Sequence, residues 1–61
     1  LSGREFDIMI KLATGKSLVE IAKDLVISNK TVSTYRSRIM EKMNCSKNTE
    51  LTKYCIEKNL I

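Results

Sequence analysis

The chain has 61 residues, of which 43% are apolar and 30% charged, and its 11 basic and 7 acidic side chains give a net charge of +4. A chain of this length is predicted to form one small domain, which buries only about 60% of the surface of its unfolded state. The basic excess is compatible with a polyanionic partner, whereas the absence of histidine and of any metal-ligand spacing argues against a metal enzyme.

The first of four predicted helices begins at a capping box. Ser2 and Glu5 have the required spacing, in which each side chain binds the backbone N–H of the other residue. Gly15 is expected to take the left-handed conformation that ends the helix. The apolar face repeats at intervals of three, four and seven residues and contains Phe6, Ile8, Met9, Ile10, Leu12 and Ala13.

The second predicted helix has the same pattern. Ser17 and Glu20 form another capping box, and the apolar face contains Leu18, Ile21, Ala22 and Leu25. Only a three-residue break, Val26 to Ser28, precedes the next helix. This is the length of the turn in a helix-turn-helix.

The third predicted helix runs from about Asn29 to Met43 behind the cap Ser28. Its apolar stripe contains Val32, Tyr35, Ile39 and Met43, and at about 100° per residue Lys30, Thr34, Ser37 and Glu41 fall opposite this stripe, flanked by Ser33 and Arg38. The segment 28–40 holds three cations and no acidic residue. Ser and Thr are only average helix formers, so helix propensity does not explain the hydroxyls.

Short hydroxyl side chains let a helix approach a surface closely, and they exchange hydrogen bonds with bases and phosphates. The outer face of the third helix is therefore predicted to lie in the major groove of DNA. The alternative is an ordinary solvated face.

The fourth predicted helix starts near Ser46 or Lys47 and runs to Lys58. Its apolar face contains Leu51, Tyr54 and Cys55, and Asn59 is expected to form a left-handed cap. Cys45 and Cys55 are expected to be reduced and structural, as in a cytosolic protein, and a lone disulfide is the alternative.

Several segments carry a family resemblance. They are "LSGRE" at Leu1–Glu5, Gly15, "EIAKDLVIS" at Glu20–Ser28, "TV" at Thr31–Val32, "EKM" at Glu41–Met43, "EL" at Glu50–Leu51 and the final "NLI". With them the chain resembles the LuxR/NarL-type, or GerE-like, DNA-binding domain of bacterial transcription regulators over nearly all its length. The resemblance implies an all-α, four-helix domain over residues 1–61 in which the second and third helices form the helix-turn-helix.

The resemblance also implies a mechanism for this sequence. Ser33, Thr34 and Ser37 would face base edges, while Ser28, Lys30, Thr31, Arg36 and Arg38 would meet phosphates. Arg36 lies beside the apolar stripe, so an alternative is that it pairs with an acid such as Glu20. Thr49, Thr52 and Lys53 on the fourth helix would form a homodimer contact, with plain solvent-facing surface as the alternative. Asn48 replaces an arginine that is common in the family.

Further expectations concern the whole protein. The chain begins at Leu1 rather than Met, and we expect it to be the C-terminal part of a longer two-component response regulator. The resemblance implies a receiver domain upstream, contact with RNA polymerase and a location in the cytoplasm, with no cofactor or catalytic residue. Two other functions stay open: a promoter-binding domain like region 4 of a sigma factor, and a helical module that binds an acidic protein. An enzyme has the least support, because no base neighbours any Ser or Cys.

Overall fold

The computed structural model describes all 61 residues and contains four α-helices and no β-strand. The helices are α1 (Gly3–Ala13), α2 (Leu18–Leu25), α3 (Asn29–Lys42) and α4 (Asn48–Glu57). The predicted all-α class and the three-residue turn between α2 and α3 are therefore confirmed. None of the four helices combines the length and apolar character that a membrane crossing requires.

The starts of the first three helices are fixed by their own side chains. Ser2 and Glu5 form the predicted capping box, with N···O distances of 3.0 and 3.2 Å, and Ser17 and Glu20 repeat it at 3.0 and 3.2 Å. Ser28 Oγ accepts the Thr31 N–H at 3.1 Å at the start of α3. α4 differs, because its cap residue Lys47 makes no side-chain capping bond.

Each helix ends in a turn whose middle residue has a positive φ. These residues are Gly15, Val26, Asn44 and Asn59, with φ of 94°, 56°, 55° and 56°. In every case the following residue donates its N–H to a carbonyl five positions back, at 2.8 to 3.1 Å. These bonds are those of the Schellman motif, which satisfies carbonyls at a helix end. Gly15 and Asn59 confirm the sequence prediction.

α1 lies at the centre of the fold, because it packs against each of the other three helices. α2 packs against α3, whereas α4 packs mainly on α1. The buried apolar core contains Ile8, Met9, Leu12, Ala13, Ile21, Ala22, Val32, Ile39, Met40, Leu51 and Cys55. Of these, Met40 was not predicted for the core.

The predicted apolar face of α1 was wrong at Phe6, which is 42% exposed. The buried side of α1 is centred on Glu5 and Leu12, which are seven residues apart and so lie on the same side of the helix. Phe6 lies one residue further on, about 100° around the helix axis. Glu5 itself is 5% exposed and lies on the buried side of α1.

Glu5 joins the start of α1 to the end of α3. Its carboxylate accepts the Ser2 N–H at 3.0 Å and the Lys42 ammonium at 2.9 and 3.0 Å. The pKa of Glu5 is lowered from 4.5 to about 2. The largest cause is the hydrogen bond from the Ser2 backbone N–H, and the next is the bond from Lys42. α3 is thus tied at its C-terminal end by a charge-assisted bond.

Both cysteines are free thiols, as expected. Cys55 is fully buried, and this burial, with a smaller contribution from Cys45, raises the pKa of its thiol. Cys45 is half-buried, and its thiol donates to the Met43 carbonyl at 3.5 Å. In these surroundings Cys55 is packed as a small apolar side chain.

The first prediction concerns Val26, a β-branched residue in the left-handed region with a side chain that is 90% exposed. Val26→Gly removes the strain without removing packed atoms, so the free energy of unfolding should rise by about 0.5–1 kcal/mol after the entropy cost of glycine. Denaturant titration measures the change. Asn44→Gly is the matched control and should change stability less, because Asn tolerates this conformation. Equal gains in both variants would contradict the assignment of strain to Val26.

The second prediction concerns pH. The Glu5 pKa is lowered on folding, so the stability it contributes is complete above pH 4.5 and is lost as the pH falls towards about 2. Glu5→Gln should therefore unfold more easily than wild type at pH 7, and the difference should shrink between pH 4.5 and 2. Glu57→Gln removes the same charge from an exposed pair with Lys53 at 4.0 Å and should have little effect at any pH. A pH-independent cost of Glu5→Gln would contradict this account.

Candidate nucleic-acid interface

α3 exposes most of its surface. Only Val32, Ile39 and Met40 of its 14 residues are buried, all on one side. The predicted outer residues Lys30, Ser33, Thr34, Ser37, Arg38 and Glu41 are all exposed. These six outward side chains leave a long, open and mostly acid-free face on a helix with only three buried residues.

The three predicted base-facing hydroxyls lie together on this face. Ser33 and Ser37 are four residues apart and Thr34 and Ser37 three apart, so the three side chains are neighbours on the helix. Thr34 Oγ1 donates to the Lys30 carbonyl at 3.1 Å, which leaves its lone pairs free to accept. The side chains of Ser33 and Ser37 have no hydrogen-bond partner within the chain, so they are free to donate and accept.

The N-terminal end of α3 is also open. Ser28 Oγ lies 2.8 Å from Thr31 Oγ1 and accepts the Thr31 N–H, so two of the predicted phosphate-facing residues form one small hydroxyl pair. The amides of Asn29 and Lys30 precede the first intrahelical bonds and have no backbone partner in the helix. The positive end of the helix dipole adds to the charge of the exposed Lys30.

The predicted phosphate-binding cations fall into two groups. Lys30 and Arg38 are exposed, and Arg38 lines a shallow groove together with Tyr35, Glu41, Lys42, Ser2 and Glu5. Arg36 is half-buried, and its Nε donates to Asn48 Oδ1 at 3.1 Å. No bond joins Arg36 to Glu20, whose carboxylate is engaged by Ser17.

The predicted dimer residues on α4 also differ among themselves. Thr49 and Lys53 are exposed. Thr52 is half-buried, and its hydroxyl lies 3.2 Å from the Ala13 carbonyl and 3.0 Å from the Asn48 carbonyl, so it is oriented towards α1. Ile56, which sequence reasoning missed, is 58% exposed and lies on the same side as Thr49 and Lys53.

The signal for Ile56 is present in the sequence, because it stands seven residues after Thr49 and outside the stripe formed by Leu51 and Cys55.

A second missed feature is an exposed apolar patch at the helix-turn-helix, formed by Val19 and Val26. These two side chains lie with Ile27 in a shallow depression that reaches Ser28 and Asn29. No sequence pattern marks this patch, because the turn conformation determines the direction of Val26.

Comparison with known proteins identifies the family. Residues 1–55 match the family "Bacterial regulatory proteins, luxR family" (GerE). The chain therefore belongs to the LuxR family of bacterial regulatory proteins, as its resemblance implied.

Three relatives illustrate the similarity. The chain is 51% identical over 45 residues to the DNA-binding transcriptional activator EvgA of Escherichia coli K12, covering 74% of this chain and 22% of EvgA. It is 42% identical over 60 residues to the virulence factors putative positive transcription regulator BvgA of Bordetella pertussis, covering 98% of this chain and 29% of BvgA. The oxygen regulatory protein NreC of Staphylococcus carnosus is 39% identical over 61 residues, covering 100% of this chain and 28% of NreC. The chain thus spans less than a third of the length of these relatives.

Proposed function

We propose that the domain binds duplex DNA sequence-specifically and serves as the output domain of a transcription regulator. The observation that carries the proposal is the exposed face of α3, where three neighbouring hydroxyls are flanked by Lys30 and Arg38. Its shape suits the major groove, which is wide enough to admit one α-helix. The relatives whose names describe DNA-binding or transcriptional activation support the same function.

Contacts to the phosphates position the helix in this proposal. The hydroxyl pair of Ser28 and Thr31 and the open amides at the start of α3 approach one phosphate. Lys30 and Arg38 attract the backbone on either side of the groove. Such contacts fix orientation and add affinity for every sequence alike.

Contacts to the bases supply the specificity. Ser33 and Ser37 exchange hydrogen bonds with base edges, and Thr34 accepts one through its free lone pairs. The methyl group of Thr34 also suits contact with a thymine methyl. Because each hydroxyl makes few bonds, discrimination depends on the set rather than on one residue.

Two copies are proposed to pair through α4 and address two half-sites. Thr49, Lys53 and Ile56 form the exposed contact face, and Ile56 is its apolar centre. Side chains that are fully desolvated at the centre of a contact contribute most of its binding energy. Thr52 belongs to this contact only at its edge, because its hydroxyl is engaged within the fold.

The proposal extends to the whole protein by its similarity to the longer relatives. We propose a cytoplasmic two-component response regulator with an upstream receiver domain, which acts with RNA polymerase and has no catalytic function. Phosphorylation of the receiver would then control the pairing of the DNA-binding domains. This part rests on the family and not on any residue of the present chain.

The third prediction separates positioning from reading. On a duplex with one half-site, Lys30→Ala and Arg38→Ala should weaken binding to all sequences and reduce the slope of log affinity against log salt by about one each. Thr34→Ala and Ser37→Ala should leave this slope unchanged. Lys58→Ala removes an exposed charge at the end of α4 and is the matched control. If Lys58→Ala lowers the salt slope as much as Lys30→Ala does, the electrostatic attraction to DNA is spread over the whole domain. The cations of α3 would then have no special role in binding. No binding to any duplex would favour the protein-interaction module.

The fourth prediction concerns pairing. Ile56→Glu and Ile56→Lys should each weaken binding to a two-half-site duplex far more than to a single half-site, because both bury a charge in an apolar contact. The two variants have opposite charges, so a general electrostatic effect on DNA affinity would separate them. Thr49→Glu should act in the same direction. Equal losses on both duplexes would argue for a monomeric, sigma-factor-like mode.

A further inference from the structure

α3 and α4 are joined by a single polar link. Arg36 Nε donates to Asn48 Oδ1 at 3.1 Å, and this is the only hydrogen bond between the two helices. The helices barely touch each other directly, because α4 packs mainly on α1. The bond is therefore the direct polar link between two helices that each pack on α1.

Charge attraction does not explain this arrangement. Asn48 is neutral, and it is the first residue of α4, where the helix dipole is positive. A guanidinium placed at this end is mildly repelled by the dipole. Arg36 makes no salt bridge with any acidic side chain of the chain. What the bond to Asn48 provides is therefore a fixed geometry rather than electrostatic stability.

The backbone of Asn48 is held from the other side. Thr52 Oγ1 lies within hydrogen-bond distance of the Asn48 carbonyl, at 3.0 Å, and of the Ala13 carbonyl in the last turn of α1, at 3.2 Å. Leu51 and Cys55, fully buried, hold the inner side of α4. The link thus runs from α3 through Asn48 and Thr52 to the central helix of the fold.

We propose that Arg36 is a positioning residue, which sets the direction of the recognition helix α3 relative to the pairing helix α4 through Asn48. The inference rests on the proposed function, and it assigns Arg36 to this role in place of the phosphate contact expected from the sequence. The half-buried Arg36 and its Nε bond, which directs the guanidinium towards α4, support the assignment.

The consequence for DNA binding follows from symmetry. In a two-fold dimer paired through α4, the separation and mutual rotation of the two recognition helices depend on the angle between α3 and α4. Any change in that angle occurs in both copies, so the error is doubled across the dimer. Half-site spacing is a geometric property of such dimers, since a helical turn of DNA takes about 10–10.5 base pairs. The Arg36–Asn48 bond should therefore select the spacing between half-sites.

The test compares wild type with Arg36→Ala, Asn48→Ala and the double variant. Each is titrated with a single half-site and with two-half-site duplexes at the preferred spacing and one base pair longer or shorter. All three variants should lose affinity for the preferred spacing by the same factor, roughly three- to tenfold for one such hydrogen bond. Their preference for that spacing should shrink, whereas affinity and salt slope on the single half-site should stay as in wild type.

Two results would overturn the inference. If Arg36→Ala weakens single half-site binding and lowers the salt slope by about one while Asn48→Ala does neither, Arg36 contacts a phosphate. If wild type binds no duplex, the proposed function fails, but the Arg36–Asn48 link can still be tested. Residual dipolar couplings of the DNA-free protein measure the angle between α3 and α4 directly. They should report an altered angle between α3 and α4 in Asn48→Ala, and an unaltered angle would refute the positioning role.

Discussion

The contact of Val32 and Ile39 with the core is the interaction on which the rest of the structure depends. Both side chains are fully buried, and with Met40 they are the buried residues of α3, beside which Tyr35 packs partly buried. A helix of 14 residues with many Ser and Thr has little stability of its own, so tertiary packing keeps it helical. The same narrow attachment leaves the face with Lys30, Ser33, Thr34 and Ser37 exposed. The small number of buried residues in α3 therefore explains both its open face and its weak attachment to the core.

Polar bonds at the start, middle and end of α3 supplement this narrow attachment. The Ser28 cap fixes the start of α3, the Arg36–Asn48 bond its middle and the Glu5–Lys42 pair its end. A domain of this size has only a few kcal/mol of stability to lose. Three directional bonds on one helix therefore contribute orientation as well as stability. A recognition helix requires both, because contacts to bases depend on its register in the groove.

Features that depend on neighbouring residues were predictable from the sequence. Both capping boxes and the left-handed Gly15 and Asn59 follow from short-range rules, and the structure contains all of them. Val26 was missed in this role because a β-branched residue is disfavoured there, and only the short turn between α2 and α3 imposes the conformation.

Features that depend on distant residues were not predictable. Phe6 was assigned to the core because Phe6, Met9, Ile10 and Ala13 have helical spacing, whereas the burial of Glu5 was not foreseen. Its burial depends on Lys42, 37 residues away in the chain. The Arg36–Asn48 bond and the inward hydroxyl of Thr52 likewise need the relative placement of three helices. The exposed positions of Ser33, Thr34 and Ser37 were predictable, since they follow from helical periodicity alone.

The central claim is that the exposed hydroxyls of α3 read DNA sequence. Binding-site selection from a random duplex library tests it most directly, with wild type, Thr34→Ala and Ser37→Ala run in parallel. Wild type should select a defined sequence, and each variant should lose stringency at one or two base pairs while keeping the rest of the site. If all three proteins select the same sequence with the same stringency, this face does not read bases and the account of α3 is wrong.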